Sequence, residues 1–235
     1  MALQTLLALS VVALLYTGGE SATFTVVNNC PDTIWPAAYA DERLPSPTGF
    51  ELLSKASRNI EFPDPVISGR IWARTFCTDR CVTGDCGQGK GPCNGATGVP
   101  PATLVEFTLP GGGGQDTHDI SNVDGFNLPV SMEPVGTTSC RTISCPGQIN
   151  EECPADLAVK GPNDITAGCR SDCEAYKKPE DCCTGEFDNS DMCKSSRSAK
   201  YFKGKCPDAY SYAYNDPEST FNCPSGTNYV VTFCP

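Results

Sequence analysis

Histidine is nearly absent from this chain, which contains only His118 among its 235 residues. Zinc sites in proteins draw on histidine, cysteine and carboxylate ligands, so a single histidine nearly excludes the sites that need this residue. We expect His118 to be an exposed loop residue without a role. No cofactor and no metal site is predicted.

Basic residues are also scarce. Lysine and arginine together number 17, against 28 aspartates and glutamates, and the formal net charge is −11. Nucleic acids and anionic membranes favour basic surfaces, so neither is expected as a primary partner. Neutral glycans remain possible ligands. The sequence contains no N-x-S/T motif in which x is not proline, so N-glycosylation is not expected.

Long apolar runs are missing except near the N-terminus. Residues 1–21 carry no charge before Glu20, contain the run LLALSVVALL and end in small residues. This layout is typical of a secretory signal peptide, with cleavage expected before Ala22. The run is short for a membrane span, and no later segment could cross a bilayer. We therefore expect a secreted protein with no integral membrane segment.

Cysteine, by contrast, is abundant. The chain has 16 cysteines, an even number, and they follow the predicted leader. Secreted proteins fold in an oxidising compartment, so this count predicts eight disulfides rather than metal sites.

Short alternating runs predict a mainly β protein. The clearest strand is ATLVEFTL, in which Val105, Phe107 and Leu109 alternate with Leu104 and Glu106. Successive side chains of a strand point to opposite faces, so Glu106 points outward if the other set faces the core.

The segment GRIWART predicts a second strand, in which Arg70, Trp72 and Arg74 share one face. The two arginines could form a cation–π stack with the tryptophan on a sheet surface.

The glycine run Gly111 to Gly114 connects ATLVEFTL to the segment DISNVDGFNLPV. Asp119 and Asp124 would face opposite sides of an uninterrupted strand because they are five positions apart. A turn at Asp124-Gly125 can break that alternation and bring both carboxylates to one side. The stretch 102–130 therefore predicts an acidic site that includes Glu106.

The cysteines are distributed unevenly and suggest two lobes beside the β core. Residues 77–99 hold four cysteines and are expected to form a small stapled lobe, in which Asp85 caps a turn. Residues 140–206 hold nine cysteines and are expected to form a larger lobe, with short helices in PADLAV and ITAGCRSDCEAYKK. The core is assigned to 22–76, 100–139 and 207–235.

Together these segments resemble the thaumatin-like proteins, the fifth pathogenesis-related family of plants. The matching pieces are ATFTVVNNC, GRIWART, CVTGDC, PPATLVEFTL, DISNVDGFNLPV, CPDAYSY, STFNCP and NYVVTFCP. One departure is the short loop between Cys77 and Cys81, where the family usually has a longer glycine-containing segment. The resemblance implies a flattened antiparallel sandwich of two sheets and about eleven strands. It also implies two smaller disulfide-rich lobes, a cleft between the sandwich and the larger lobe, and a monomer.

The resemblance further implies the cysteine pairing. The expected disulfides are Cys30–Cys234, Cys77–Cys81, Cys86–Cys93, Cys140–Cys223, Cys145–Cys206, Cys153–Cys169, Cys173–Cys182 and Cys183–Cys193.

Family members that act on fungi share a cleft motif of one arginine, one glutamate and three aspartates. Its positions in this sequence are Arg70, Glu106, Asp119, Asp124 and Asp216, with Asp208 as a competitor for the last. Without the resemblance, Glu106 would fit a solvated acid better than a catalyst.

The resemblance implies a defence protein that binds β-1,3-glucan or a related cell-wall polysaccharide and acts against fungi. Phe126 and Tyr212 are expected to offer stacking faces to the sugar. The alternative is a weak endo-β-1,3-glucanase, with Glu106 as the general acid and Asp124 as the partner carboxylate. A second alternative is an inhibitor of foreign enzymes or a protein that permeabilises fungal membranes.

Overall fold

The computed structural model describes residues 22–63, 66–110 and 112–235. The predicted leader, residues 1–21, lies outside them. The strands within these described residues are β1 (Ala22–Asn28), β2 (Trp35–Ala40), β3 (Ser57–Phe62), β4 (Val66–Arg74), β5 (Leu104–Leu109), β6 (Gln115–Ser121), β7 (Val130–Val135), β8 (Ile143–Cys145), β9 (Ala158–Lys160), β10 (Thr166–Cys169), β11 (Phe221–Pro224) and β12 (Asn228–Phe233). The α-helices are α1 (Asp172–Tyr176), α2 (Pro179–Cys182), α3 (Arg197–Lys205) and α4 (Asp216–Ser219).

Two five-stranded sheets form the body of the protein, with strand orders β3-β1-β12-β7-β8 and β11-β6-β5-β4-β2. The alternation read from the sequence explains why they pack face to face. Phe24 of the first sheet stacks on Phe107 of the second, with ring centroids 4.4 Å apart, and Phe62 meets Phe107 edge-on at 4.8 Å. Burying such rings is strongly favourable. The predicted mainly β, two-sheet sandwich is confirmed.

The first and last strands of the described chain lie side by side. β1 pairs with β12 in parallel, with a register from Phe24 opposite Tyr229 to Asn28 opposite Phe233. The other ladders between named strands are antiparallel. The Cys30–Cys234 disulfide joins the two segments just beyond the C-terminal ends of these paired strands.

Eight disulfides cross-link the chain, and they join the same eight pairs that the family resemblance implies. Among the described residues no cysteine is free. Strand β8 lies within the range assigned to the larger lobe but pairs with β7, so the first sheet extends to Cys145.

The expected surface stack of Arg70 and Arg74 on Trp72 is wrong, because residues of the small lobe cover this end of β4. Arg74 is fully buried and donates hydrogen bonds to the carbonyl oxygens of Trp35 at 3.0 Å and Gly91 at 2.8 Å. Burial lowers the pKa of Arg74 to about 10, so the guanidinium stays charged at neutral pH. It therefore anchors the small lobe to the sheet as a charged hydrogen-bond donor.

Asp85 caps a turn inside the small lobe, as its position in the TGDC segment predicts. Its carboxylate accepts hydrogen bonds from the backbone N–H groups of Cys81 at 3.1 Å and Gly87 at 3.2 Å. The exposed Arg80 adds an ion pair at 3.1 Å.

The prediction that His118 is an exposed loop residue is wrong. The glycine run ends at Gly114 and β6 begins at Gln115, so Asp116, His118 and Ile120 alternate toward the interior. The imidazole is fully buried and packs near Tyr229, with ring centroids 5.4 Å apart. Neither ring nitrogen has a hydrogen-bond partner in the described part of the chain. Burial lowers the pKa of His118 to about 4, so the side chain is neutral at pH 7.

The helix predictions for the larger lobe hold only in part. PADLAV forms a turn leading into β9, and Thr166–Cys169 is β10 rather than helix. Helix α1 begins after Ser171, whose hydroxyl accepts a hydrogen bond from the N–H of Glu174 and so caps the helix. The segment KYFKGK lies in α3, where Phe202 is buried in the core. Within the described residues no helix is long and apolar enough to span a membrane.

Candidate functional site

A row of four polar side chains crosses the second sheet. Tyr39 of β2 lies opposite Arg70 of β4, which lies opposite Glu106 of β5, which in turn lies opposite Asp119 of β6. Directly opposed residues of neighbouring strands project from the same face. The alternate positions, such as Phe107, are buried in the core. The row therefore lies on the outer face of the sheet.

The centre of the row is an ion pair that remains accessible to solvent. Arg70 Nε lies 3.7 Å from Glu106 Oε1, and the two side chains are 35% and 31% exposed. Desolvation within the sheet surface raises the pKa of the Glu106 carboxyl, the charge of Arg70 opposes this rise, and the charge of Asp124 adds to it. Glu106 therefore keeps its proton to a higher pH than an ordinary glutamate does.

Asp124 reaches the same surface through the predicted turn. The N–H of Gly125 donates to the carbonyl oxygen of Asn122 at 2.9 Å, and Gly125 has φ +87°. A Cβ at this glycine would lie 2.7 Å from the carbonyl oxygen of Cys169, so the turn needs both the left-handed backbone and the missing side chain.

The environment of Asp124 shows that it stands between the sandwich and the larger lobe. Burial raises the pKa of its carboxyl most, and the charge of Glu174 raises it further. The charges of Arg70, on the sheet, and Lys177, just after α1, lower it. The pKa of Asp124 therefore depends on charges of both the sheet and the larger lobe.

Two adjoining pockets lie over the row and share Arg70, Glu106 and Asp119. The first has a volume of about 370 Å³ and extends past Tyr39 toward Asp41. Its neighbour has a volume of about 280 Å³ and extends past Ser121 to Asp124 and Tyr210. We call the two pockets together the acidic groove.

Sequence comparisons place this architecture among known proteins. The sequence model of the Thaumatin family matches residues 28–235. The chain belongs to the thaumatin family.

Close relatives cover nearly the full length of the chain. A Malus domestica protein named "Thaumatin-like protein 1a" is 47% identical over 239 residues, covering 98% of this chain and 97% of the relative. A Prunus avium protein named "Glucan endo-1,3-beta-glucosidase" is 45% identical over 242 residues, covering 99% and 98%.

The fold also occurs in a structure with little sequence similarity. A laminaripentaose-producing β-1,3-glucanase from Paenibacillus barengoltzii aligns with a TM-score of 0.59 at 14% identity, covering 91% of this chain and 74% of that one. This likeness shows a shared fold.

Four of the five residues carried over from the thaumatin-like proteins line the acidic groove of this family member, namely Arg70, Glu106, Asp119 and Asp124. The fifth, Asp216, begins helix α4, and its side chain lies outside the described part of the structure. Its competitor Asp208 is absent from the lining of both pockets.

Asp208 has a different set of partners. Its carboxylate accepts hydrogen bonds from Arg141 at 2.8 and 3.1 Å and from the N–H of Ser144 at 3.1 Å. These bonds hold the pKa of Asp208 below its usual range despite partial burial.

The aromatic residues of the groove differ from the expected ones. Phe126 is 1% exposed and packs in the core, so its predicted role as a stacking face is wrong. Tyr212 does not line either pocket of the groove, whereas Tyr39 and Tyr210 do. Tyr39 lies in the short apolar segment TIWPAAY, but only the strand register sets it opposite Arg70.

The groove residues do not resemble a metal centre. Within residues 22–63, 66–110 and 112–235, no group of three or more histidine, cysteine, aspartate or glutamate side chains is arranged to hold a metal ion.

Proposed function

We propose that this thaumatin-family protein is a secreted defence protein whose acidic groove binds β-1,3-glucan or a related fungal cell-wall polysaccharide. The observation that carries the proposal is the accessible row of Arg70, Glu106 and Asp119, joined at one end by Asp124. Carboxylates accept hydrogen bonds from sugar hydroxyls, and the arginine donates to them. Such groups suit a neutral polyhydroxylated chain that needs no opposite charge.

The shape of the groove suits an extended chain. It runs from Tyr39 at one end to Tyr210 at the other, so a ring-bearing side chain lies near each end of the acidic row. Aromatic faces pack well against the apolar faces of sugar rings. A glucan segment lying along the row would contact both tyrosines and the carboxylates between them.

Two further facts support the proposal. The Prunus avium relative, 45% identical across 99% of this chain, bears the name of a β-1,3-glucan-cleaving enzyme. The eight disulfides and the leader-like residues 1–21 fit export to the extracellular space.

Replacing Glu106 with alanine is expected to weaken binding to insoluble β-1,3-glucan by about tenfold, because the loss of one charge-assisted site is worth roughly 1.4 kcal/mol or more. Pull-down isotherms of the mature protein at neutral pH and moderate salt measure the effect. Glu133→Ala is the matched control, since Glu133 is exposed on β7 of the other sheet. Failure of the unmodified protein to bind, or equal losses in the two variants, would contradict the proposal.

Slow hydrolysis of the same glucan is the second candidate function, and the raised pKa of Glu106 favours it. Glycoside hydrolysis needs one protonated carboxyl as general acid and one ionised carboxylate across the scissile bond. Glu106, whose pKa is raised, is assigned the first role. Asp124 is assigned the second, and the charges of Arg70 and Lys177 oppose the rise that burial causes in its pKa. Because the acid must be protonated, the rate should fall as pH rises through the raised pKa of Glu106.

Glu106→Gln separates the two candidates. Glutamine keeps a carbonyl acceptor but cannot deliver a proton, so hydrolysis requires that new reducing ends from a soluble β-1,3-glucan disappear while binding to the insoluble glucan persists. Reducing ends that persist at the same rate in this variant would rule out Glu106 as the acid, whereas no new reducing ends from the unmodified protein would leave binding as the function.

A further inference from the structure

Another pocket, which we call the second pocket, lies apart from the acidic groove, where the sandwich meets the two lobes. Its volume is about 550 Å³, larger than either part of the groove, and it shares no lining residue with them. The residues that define it here are Ile34, Trp35, Phe76, Leu128, Asn127 and Asn150. Pockets of 300–1,000 Å³ with mainly apolar walls and a few polar groups are typical sites for small molecules.

Two disulfides cross-link part of the wall of the second pocket. Cys30, Cys234 and Cys77 line it, and they belong to the Cys30–Cys234 and Cys77–Cys81 disulfides. A cavity whose walls are cross-linked before a ligand arrives loses little conformational freedom on binding.

Two polar groups in the lining have unused hydrogen-bonding capacity. Trp35 is 8% exposed, and its Nε1–H has no acceptor among the described residues. Asn150 donates from Nδ2 to the carbonyl oxygen of Asn127 at 2.8 Å, but its Oδ1 has no donor among them. Both atoms are shielded from solvent, so a ligand in the pocket reaches them only when a small side-chain movement uncovers them. A buried polar group without a partner is costly, so such a movement is favourable when the ligand supplies the partner.

The remaining polar groups are already engaged. Asn127 accepts at Oδ1 from the N–H groups of Thr103 and Leu128, and donates from Nδ2 to Ala73 and Thr83. It supports the wall of the pocket and offers nothing further to a ligand.

The charge of the lining restricts the chemistry of a ligand. Asp32 is the one charged residue that lines the second pocket among the described residues, and it is exposed. An anionic ligand would find no basic partner in the lining, and burying an unpaired charge is strongly unfavourable. The pocket therefore suits an uncharged molecule.

The backbone conformation of Phe76 is a further, independent indication of a ligand site. Its backbone has φ +51°, a left-handed conformation that is unfavourable for a bulky aromatic residue. Strained positions of this kind are retained where the surroundings hold them, and they cluster at ligand sites. Here the strained residue lines the second pocket beside the Cys77–Cys81 bridge.

We propose that the second pocket binds a neutral, mainly apolar small molecule that carries a hydroxyl group, of the phenol class. The apolar frame would pack against Ile34, Phe76 and Leu128. A hydroxyl both accepts and donates, so once a side-chain movement uncovers the atom it can supply the partner that Trp35 Nε1–H lacks or the one that Asn150 Oδ1 lacks.

Titration of the ¹⁵N-labelled protein with 1-naphthol tests the proposal, because the chain has only two tryptophans to report on it. Trp35 lines the pocket, whereas Trp72 is fully buried elsewhere and donates to the carbonyl oxygen of Gly84 at 2.8 Å. The indole N–H signal of Trp35, assigned with Trp35→Phe, is expected to shift and saturate at one ligand per protein. The signal of Trp72 should stay in place.

Filling the cavity should remove the site. Thr166→Phe is expected to weaken 1-naphthol binding by at least about tenfold because the new ring occupies the pocket, while Thr142→Phe, at an exposed position outside it, changes the affinity less than about twofold. Calorimetry measures both, and near-ultraviolet circular dichroism checks folding. Should Thr166→Phe not fold, Thr78→Phe at an exposed lining position replaces it.

Three results would overturn the proposal: no saturable shift up to the solubility limit of 1-naphthol, equal affinities for the filled and control variants, or equally tight binding of the anion 1-naphthalenesulfonate. Glu106→Gln should leave 1-naphthol affinity unchanged. The second pocket is thereby tested independently of glucan binding in the acidic groove.

Discussion

Replacing Cys30 and Cys234 together with serine is expected to lower the free energy of unfolding by about 5 kcal/mol. The two residues are 204 positions apart, so their bridge closes nearly the whole described chain into one loop. Cross-linking such distant residues removes much of the conformational entropy of the unfolded chain. Guanidinium unfolding with the other disulfides intact measures the loss.

The matched control is the double variant Cys183→Ser and Cys193→Ser. That bridge spans only 10 positions, and the same entropy relation gives it about 2.7 kcal/mol. The two double variants should therefore differ by about 2.7 kcal/mol, and this difference reports the loop length itself. Equal losses would show that the long bridge contributes little beyond the β1–β12 pairing it follows.

Replacing His118 with leucine is expected to make the protein resist acid better than the unmodified chain. The imidazole has a pKa near 4 in the folded protein, against an ordinary value of 6.5. The unfolded chain therefore binds more protons than the folded one between these values, and acid favours unfolding. This penalty is absent above pH 6.5, grows as pH falls and is complete below pH 4.

The expected loss of stability in acid follows from the lowered pKa of His118. Lowering the pH from 7 to 4 should destabilise the unmodified protein by about 3 kcal/mol relative to His118→Leu. The imidazole packs near Tyr229, whose hydroxyl donates a hydrogen bond to Asp116, and burial raises the pKa of both groups. Both residues are present in both proteins, so their contributions cancel in the comparison.

Guanidinium midpoints at a series of pH values measure this difference. His118→Gln is the control, because glutamine does not titrate but keeps a polar group in the same buried place. It should show the flat pH dependence of the leucine variant at a lower stability, since a buried amide without partners is unfavourable. Parallel acid losses in the unmodified protein and His118→Leu would exclude the buried imidazole as the cause.

The alternation of ATLVEFTL was enough to place one residue of the groove. Phe107 and Leu109 entered the core and Glu106 the outer face, because a strand in a two-layer fold must bury one side. The same reasoning failed for His118, because the glycine run was interpreted as a loop that continued past Gly114, whereas β6 begins at Gln115. A local pattern shows which side chains alternate, but the element boundary decides where the alternation begins.

Other groove features needed the tertiary structure. Tyr39 lies opposite Arg70 only because β2 pairs with β4 in one particular register. Phe126 carries an aromatic ring that could stack on a sugar, yet the turn at Gly125 directs this ring into the core. The neighbourhood of Asp124 includes Glu174 and Lys177, which are about 50 positions away and could not be linked to it by spacing alone.

Composition and local patterns were enough to predict the class of protein: the cysteines, the alternating strands and the family-like segments led to a disulfide-rich β-sandwich with an acidic site including Glu106. These features are local or compositional, and local patterns follow from backbone geometry and solvent exposure. The tertiary structure alone decided that Arg74 is buried beneath the small lobe, that His118 is an interior residue and that a second pocket exists. Burial and cavities depend on which distant segments pack together, and a linear sequence does not display those contacts.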